Sequence, residues 1–116
     1  MRLITEELPE MEDPTAAAVT ETLDSDAFGK FAVLLVSDDE FVQAGNDWTP
    51  TDECAEYLRA HDSDPWVLEY RKPALLRPLR ADGVVTLAQV KDVFLAFLAG
   101  DTSWQTQFLW CEIAES

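Results

Sequence analysis

The sequence predicts an α+β fold, in which an antiparallel or mixed sheet of about five strands is covered on one face by two to three helices. Three observations carry this expectation. Residues Trp66 to Arg71 alternate, with Trp66, Leu68 and Tyr70 on one face and Val67, Glu69 and Arg71 on the other, the period of a strand with one wetter face. Thr86-Leu-Ala-Gln89 forms a capping box, and Leu87, Val90, Phe94, Phe97 and Leu98 follow at helical spacing. The apolar segments on either side of Asp38-Asp39-Glu40 are joined by so short a turn that they pair as an antiparallel hairpin.

Each element can be justified in order. Residues 1 to 12 are polar and interrupted by Pro9, which predicts a loose lead-in. Asp13-Pro14 has the form of an N-cap followed by proline at the first helical position, and Ala16, Val19 and Leu23 share one face of a helix ending near Asp24. Asp24-Ser25-Asp26 and Gly29 break that helix. Phe31 to Ser37 is short, β-branched and apolar, which predicts a strand buried on both faces, and Phe41 to Ala44 returns beside it. Thr49-Pro50 repeats the cap-then-proline start, placing Cys54, Tyr57 and Leu58 on one face of a short helix ending near His61.

After the strand at Trp66, Pro73 and Pro78 flank Ala74 to Arg77. Proline cannot donate to a ladder, so a strand around Leu75 is expected at a sheet edge. Asp82-Gly83 is a turn, and the helix from Thr86 to Ala99 stops at Gly100. Trp104 to Ile113 alternates as a last strand, with Trp104, Phe108 and Trp110 on one face. Taken as a whole, residues 1 to 116 are expected to form one domain, which at that length hides roughly 65% of its unfolded surface.

Composition narrows the function. Hydrophobic residues make up 47% and charged residues 27%, with four Trp and six Phe, a globular balance that needs no metal or disulfide to fold. Apolar runs such as Phe31 to Val36 are far short of the ~20 residues of a membrane span, and the first ten residues lack the features of a signal peptide. A reducing cytoplasm is therefore the expected compartment, with Cys54 and Cys111 as thiols. Twenty-three acidic against eight basic residues leave a net charge of -15, a field that repels nucleic acid and anionic membranes and attracts basic proteins. Acid of this kind also serves solubility. The charge is uneven: Glu6, Glu7, Glu10, Glu12 and Asp13 cluster near the start, while Arg71, Lys72, Arg77 and Arg80 gather half of the basic residues. That asymmetry suits the orientation of a partner or of a second copy of the chain.

No catalytic constellation is legible. The sole histidine, His61, lies seven positions from Cys54, which on a helix leaves them about 10 Å apart and out of reach for proton transfer. The groups His61, Asp62, Asp64 and Asp38, Asp39, Glu40 lack the length and glycine of a calcium loop, and read as turn residues. No Cys/His spacing fits zinc, and the four glycines are isolated, which argues against a phosphate loop. No cofactor is expected. With so many acids, a carboxylate pair for glycoside hydrolysis is not a specific signal. Four tryptophans are more than a core of this size needs, so Trp48, beside a turn, and Trp104, at the edge of the last strand, are candidate anchors for a protein interface.

Trp66-Val-Leu-Glu-Tyr-Arg71, Val85-Thr-Leu-Ala-Gln-Val90, Phe94-Leu-Ala-Phe-Leu-Ala-Gly-Asp101 and Ser103-Trp104 resemble small bacterial proteins of the kind found among immunity proteins of polymorphic toxin systems, over roughly residues 30 to 113. The resemblance implies a non-enzymatic α+β protein that binds and blocks a partner. It carries over no family binding residue. The expectation is a cytoplasmic protein-binding module that meets a basic partner through Asp38, Asp39, Glu40, Trp48 and Trp104, without nucleic acid or membrane. The alternative is a structural protein that self-associates through the edge strand around Leu75.

Overall fold

Among the described residues, seven strands form one sheet in the order β2-β1-β3-β4-β5-β6-β7, every neighbouring pair antiparallel. The structure, a computed structural model, describes residues 1–46, 49, 51–63, 65–75, 77–82 and 84–112. The strands are β1 (Arg2–Thr5), β2 (Met11–Glu12), β3 (Phe31–Ser37), β4 (Glu40–Gly45), β5 (Val67–Arg71), β6 (Leu79–Ala81) and β7 (Trp110–Glu112). The helices are α1 (Ala16–Asp24), α2 (Asp52–Ala60) and α3 (Leu87–Leu98). The predicted α+β class and its helix-covered sheet face are what the chain adopts, with two more strands than the rough expectation.

The core explains the layering. Leu3, Ala32, Leu34, Val42, Ala44 and Leu68 point from β1, β3, β4 and β5 to one side of the sheet. Val19 and Leu23 of α1 and Val90, Val93 and Phe94 of α3 close over them, all at most 2% exposed. Lys91 reaches from α3 to Asp24 of α1 at 2.9 Å and ties the two helices across their exposed side. Toward β6 and β7 the core turns aromatic: Tyr70 meets Trp104 and Trp110 edge to face at 4.9 and 4.5 Å, with Phe97 and Phe108 behind them. These geometries suit the ring quadrupoles and add to the area that the rings bury.

Helix starts follow side-chain capping. Thr86 Oγ1 accepts from the Gln89 backbone N–H while Gln89 Oε1 accepts from the Thr86 N–H, so the capping box forms as predicted, and Gly100 supplies the left-handed stop at φ 80°. In α1 the cap is Thr15, not Asp13: Thr15 accepts from Ala18 N–H, and Asp13 instead takes a positive φ of 46° in the turn leaving β2. In α2 the cap is Thr51, with Asp52 and Glu53 in the first turn and Arg59 in the last, the arrangement that a helix dipole favours.

Four expectations are corrected. Residues 1 to 12 are a hairpin, not a lead-in: Leu3 is fully buried, and β1 lies between β2 and β3. The strand β3 is fully enclosed on one face only: Ala32 and Leu34 are buried there, whereas on the other face Phe31 is 40% exposed and Val33 is partly exposed, with Leu35 alone buried. The edge strand around Leu75 is a turn, closed by the Leu75 N–H donating to Lys72 O. The strand in that region is β6, interior to the sheet, and Pro78 precedes it where no donor is needed. The last strand is only Trp110–Glu112, because Ser103–Thr106 wind into a 3-10 turn whose Trp104 Nε1 donates to Asp101 O. Pro50, Gly83 and Ile113, named in the sequence reading, lie outside the described residues, as does Leu76 within the span Ala74 to Arg77.

Candidate functional site

The side of the sheet away from α1 and α3 is bare, and antiparallel register fixes which residues it presents. Side chains directly opposite one another on paired strands share a face, so three rows can be followed across the strands. The first is Glu12, Arg2, Leu35, Phe41 and Arg71, running from β2 through β1, β3 and β4 to β5. The second is Ile4, Val33, Gln43, Glu69, Arg80 and Cys111, ending on β7. The third is Phe31, Gly45 and Val67. Most of these residues are half-buried or exposed; Leu35 alone, flanked by Arg2 and Phe41, falls to 8%.

A polar ladder crosses the apolar strip. Glu69 accepts from Gln43 Nε2 at 2.6 Å through one oxygen and from Arg80 Nε and Nη2 at 3.0 and 2.8 Å through the other, so both of its oxygens are occupied. Beside it a hollow of about 370 Å³ is lined by Glu6, Lys30, Phe31, Gly45, Val67 and the ladder. Next to Lys30, at Gly29, the chain comes so close to Glu6 and Glu7 that an added Cβ would clash with their side chains. A carboxylate already paired to an arginine and an amide is arranged to hold strands together, not to move protons.

Arg71 differs from its neighbours. Its Nε is buried and has no hydrogen-bond partner, whereas Arg2 and Arg80 pair with Glu10 and Glu69. The other such orphan among the described residues is Trp66 Nε1, inside the core, where the Trp66 ring stacks on Phe28 at 5.9 Å.

The residues singled out by sequence fall in different places. Asp38 and Asp39 are the two-residue loop between β3 and β4. Neither takes a positive φ, so the loop is not a mirror-image turn. The bulge at Val36 in the β3–β4 ladder supplies the local twist such a turn would have matched. Asp38 is exposed, but Asp39 accepts from Ser37 Oγ at 2.7 Å and so helps to close the turn. Trp104 is a core residue, 2% exposed, and offers nothing to a partner's surface; Trp48 and Asp64 lie outside the described residues. Glu40 and Trp104 line one small hollow of about 170 Å³, together with Arg71, Lys72 and Asp101, a rim of mixed charge. The Ser103 backbone N–H, and then its hydroxyl, hold the Asp101 carboxyl below the usual carboxylate range.

His61 caps α2, with its ring stacked on Tyr57 at 4.1 Å and its Nδ1 at 2.8 Å from Tyr57 O. Cys54 and Cys111 are free thiols. Among the described residues, no group of three or more His, Cys, Asp or Glu is placed to hold a metal ion, and no helix is long and apolar enough to cross a membrane. The bare face itself was only partly visible in sequence, as the wetter side of β5; the other strands join it through long-range register.

Fold and face together define an α+β protein with an open, fully antiparallel sheet, α1 and α3 on one side and a mixed apolar and charged surface on the other. Compared with known proteins, the chain matches no family model, no curated protein and no solved structure.

Proposed function

We propose that the chain is a non-enzymatic protein-binding module whose acidic surface receives a basic protein, in the manner of an immunity protein covering a basic toxin domain. The observation that carries this reading is the unbalanced charge. Of the eight basic residues, Arg2, Arg80 and Lys91 are already paired with Glu10, Glu69 and Asp24, which leaves an excess of carboxylates facing solvent. Such a field raises the rate at which a basic partner arrives. The exposed Asp38, with Glu40 beside it, forms one approach. Asp39 is set aside because the turn itself uses it.

The test takes a partner captured from the native host and follows its association at increasing salt. Exposed charges are screened beyond about 8 Å at physiological salt, so the rate of association should fall steeply while dissociation changes little. Replacing Asp38 and Glu40 with Lys should slow association and leave the melting temperature nearly unchanged. An acidic partner, or an association rate flat across salt, contradicts the reading.

A further inference from the structure

The bare face raises a different question, because its strand rows are not acidic although the molecule as a whole is. Its three rows carry three arginines, Arg2, Arg71 and Arg80, against two glutamates, Glu12 and Glu69. A basic partner would meet those arginines, and a strongly anionic one would be repelled by the net charge of -15 around them. The occupant that fits has balanced charge and an apolar centre.

We propose that this face is self-complementary, and that a second copy of the chain packs on it face to face about a twofold axis running along β3. The geometry of the first row supports this. Such an axis leaves β3 over its own copy and exchanges strands equally far to either side, as an isologous interface requires. In the order β2-β1-β3-β4-β5, β2 then lies over β5 of the other copy, and β1 over β4. Glu12 of each chain therefore comes over Arg71 of the other, and Arg2 over Phe41. Leu35, Val33 and Phe31, successive outward residues of β3, meet their own counterparts along the axis.

Each contact has a physical basis. Arg71 has a buried Nε without an acceptor and pairs with no carboxylate among the described residues, so a carboxylate from the second copy, reaching the outer Nη groups, would give its guanidinium a counter-charge. A guanidinium over the Phe41 ring is a cation–π arrangement. Stacked sheets lie about 10 Å apart and cross at about 30°, an offset that Glu and Arg side chains are long enough to span. Five strands about 4.8 Å apart make a face roughly 19 Å wide, at the small end of stable interfaces, so the dimer should be weak, in the micromolar range.

This proposal is independent of the basic-partner reading, and salt separates the two. Repulsion between two chains of charge -15 opposes the dimer, so self-association should strengthen with salt, where capture of a basic partner should slow. The experiment is sedimentation equilibrium of the full chain over a roughly hundredfold range of concentration around the micromolar region, at low and high salt. Folding of each variant is checked by its denaturant midpoint. Glu12→Arg and Arg71→Glu should each weaken the dimer at least tenfold, because each sets like charges face to face, and the two together should restore it to within a few-fold of wild type. Val33→Asp, which puts two carboxylates on the axis, should abolish it. A wild-type chain that stays monomeric throughout overturns the proposal. So does a dimer indifferent to Val33→Asp, or a double variant no better than the singles, which would point to pairing through the edges β2 and β7.

Discussion

Gly29 shows how one residue sets the position of two segments. Its φ of 92° and ψ of -138° lie in a region that is essentially glycine's alone, and a Cβ there would come within 2.7 Å of Glu6 Oε1 and 2.8 Å of Glu7 Cγ. The close approach lets the Lys30 N–H donate to Glu6 and the Glu7 N–H to Phe28 O, which docks the first hairpin against the start of β3. Gly29→Ala should therefore cost about 1–3 kcal/mol, read as a lower denaturant midpoint. An unchanged midpoint would mean that the hairpin is not held there. Tyr70 makes a second case. Burial raises its phenol above the ordinary 10.0, so the folded chain keeps that proton to a higher pH than the unfolded chain does. Its contribution to stability is whole below about pH 10 and is lost as pH rises through the folded value. Alkaline titration of stability should show this fall, and Tyr70→Phe should flatten it; an identical fall in the variant would assign the effect to other groups.

Among the elements, those with strong local chemistry were legible and those held by distant partners were not. The capping box and apolar stripe specified α3 almost to the residue, and β5 was legible because Trp66, Leu68 and Tyr70 alternate with polar neighbours. Val93, fully buried, belongs to the same stripe, three residues after Val90 and four before Phe97, and was missed there. Strands β1, β2 and β6 have two to four residues each and carry Arg2, Glu12 and Arg80, so their pattern is too short to read; they exist because β3 and β5 offer them a ladder. The opposite error occurred at Trp104, where alternation suggested a strand but the Asp101-Thr-Ser turn and the burial of the indole won. As α3 lies over the centre of the sheet, Phe94→Ala should leave a cavity costing about 3–5 kcal/mol. Equal denaturant midpoints for variant and wild type would place the stripe away from the core.

For the molecule as a whole, charge and layering act together. The acids are spread along the chain, while the bare side of the sheet gathers arginines and apolar side chains. Net charge could be read from composition alone; the bare face could not, because it is assembled from strands whose order no local pattern reveals. Both proposals depend on the sheet having one filled side and one bare side. The most direct measurement compares Val33→Thr with Val42→Thr, neighbouring positions on β3 and β4 that face opposite ways, in chemical denaturation at a concentration too low for self-association. The exchange keeps shape and strand preference and replaces one methyl by a hydroxyl. Burying that hydroxyl at Val42, which is fully enclosed, should cost about 1–3 kcal/mol, whereas at the half-exposed Val33 the change should stay within about 0.5 kcal/mol. Equal losses at the two positions would mean that both sides of the sheet are filled, and would contradict the bare face.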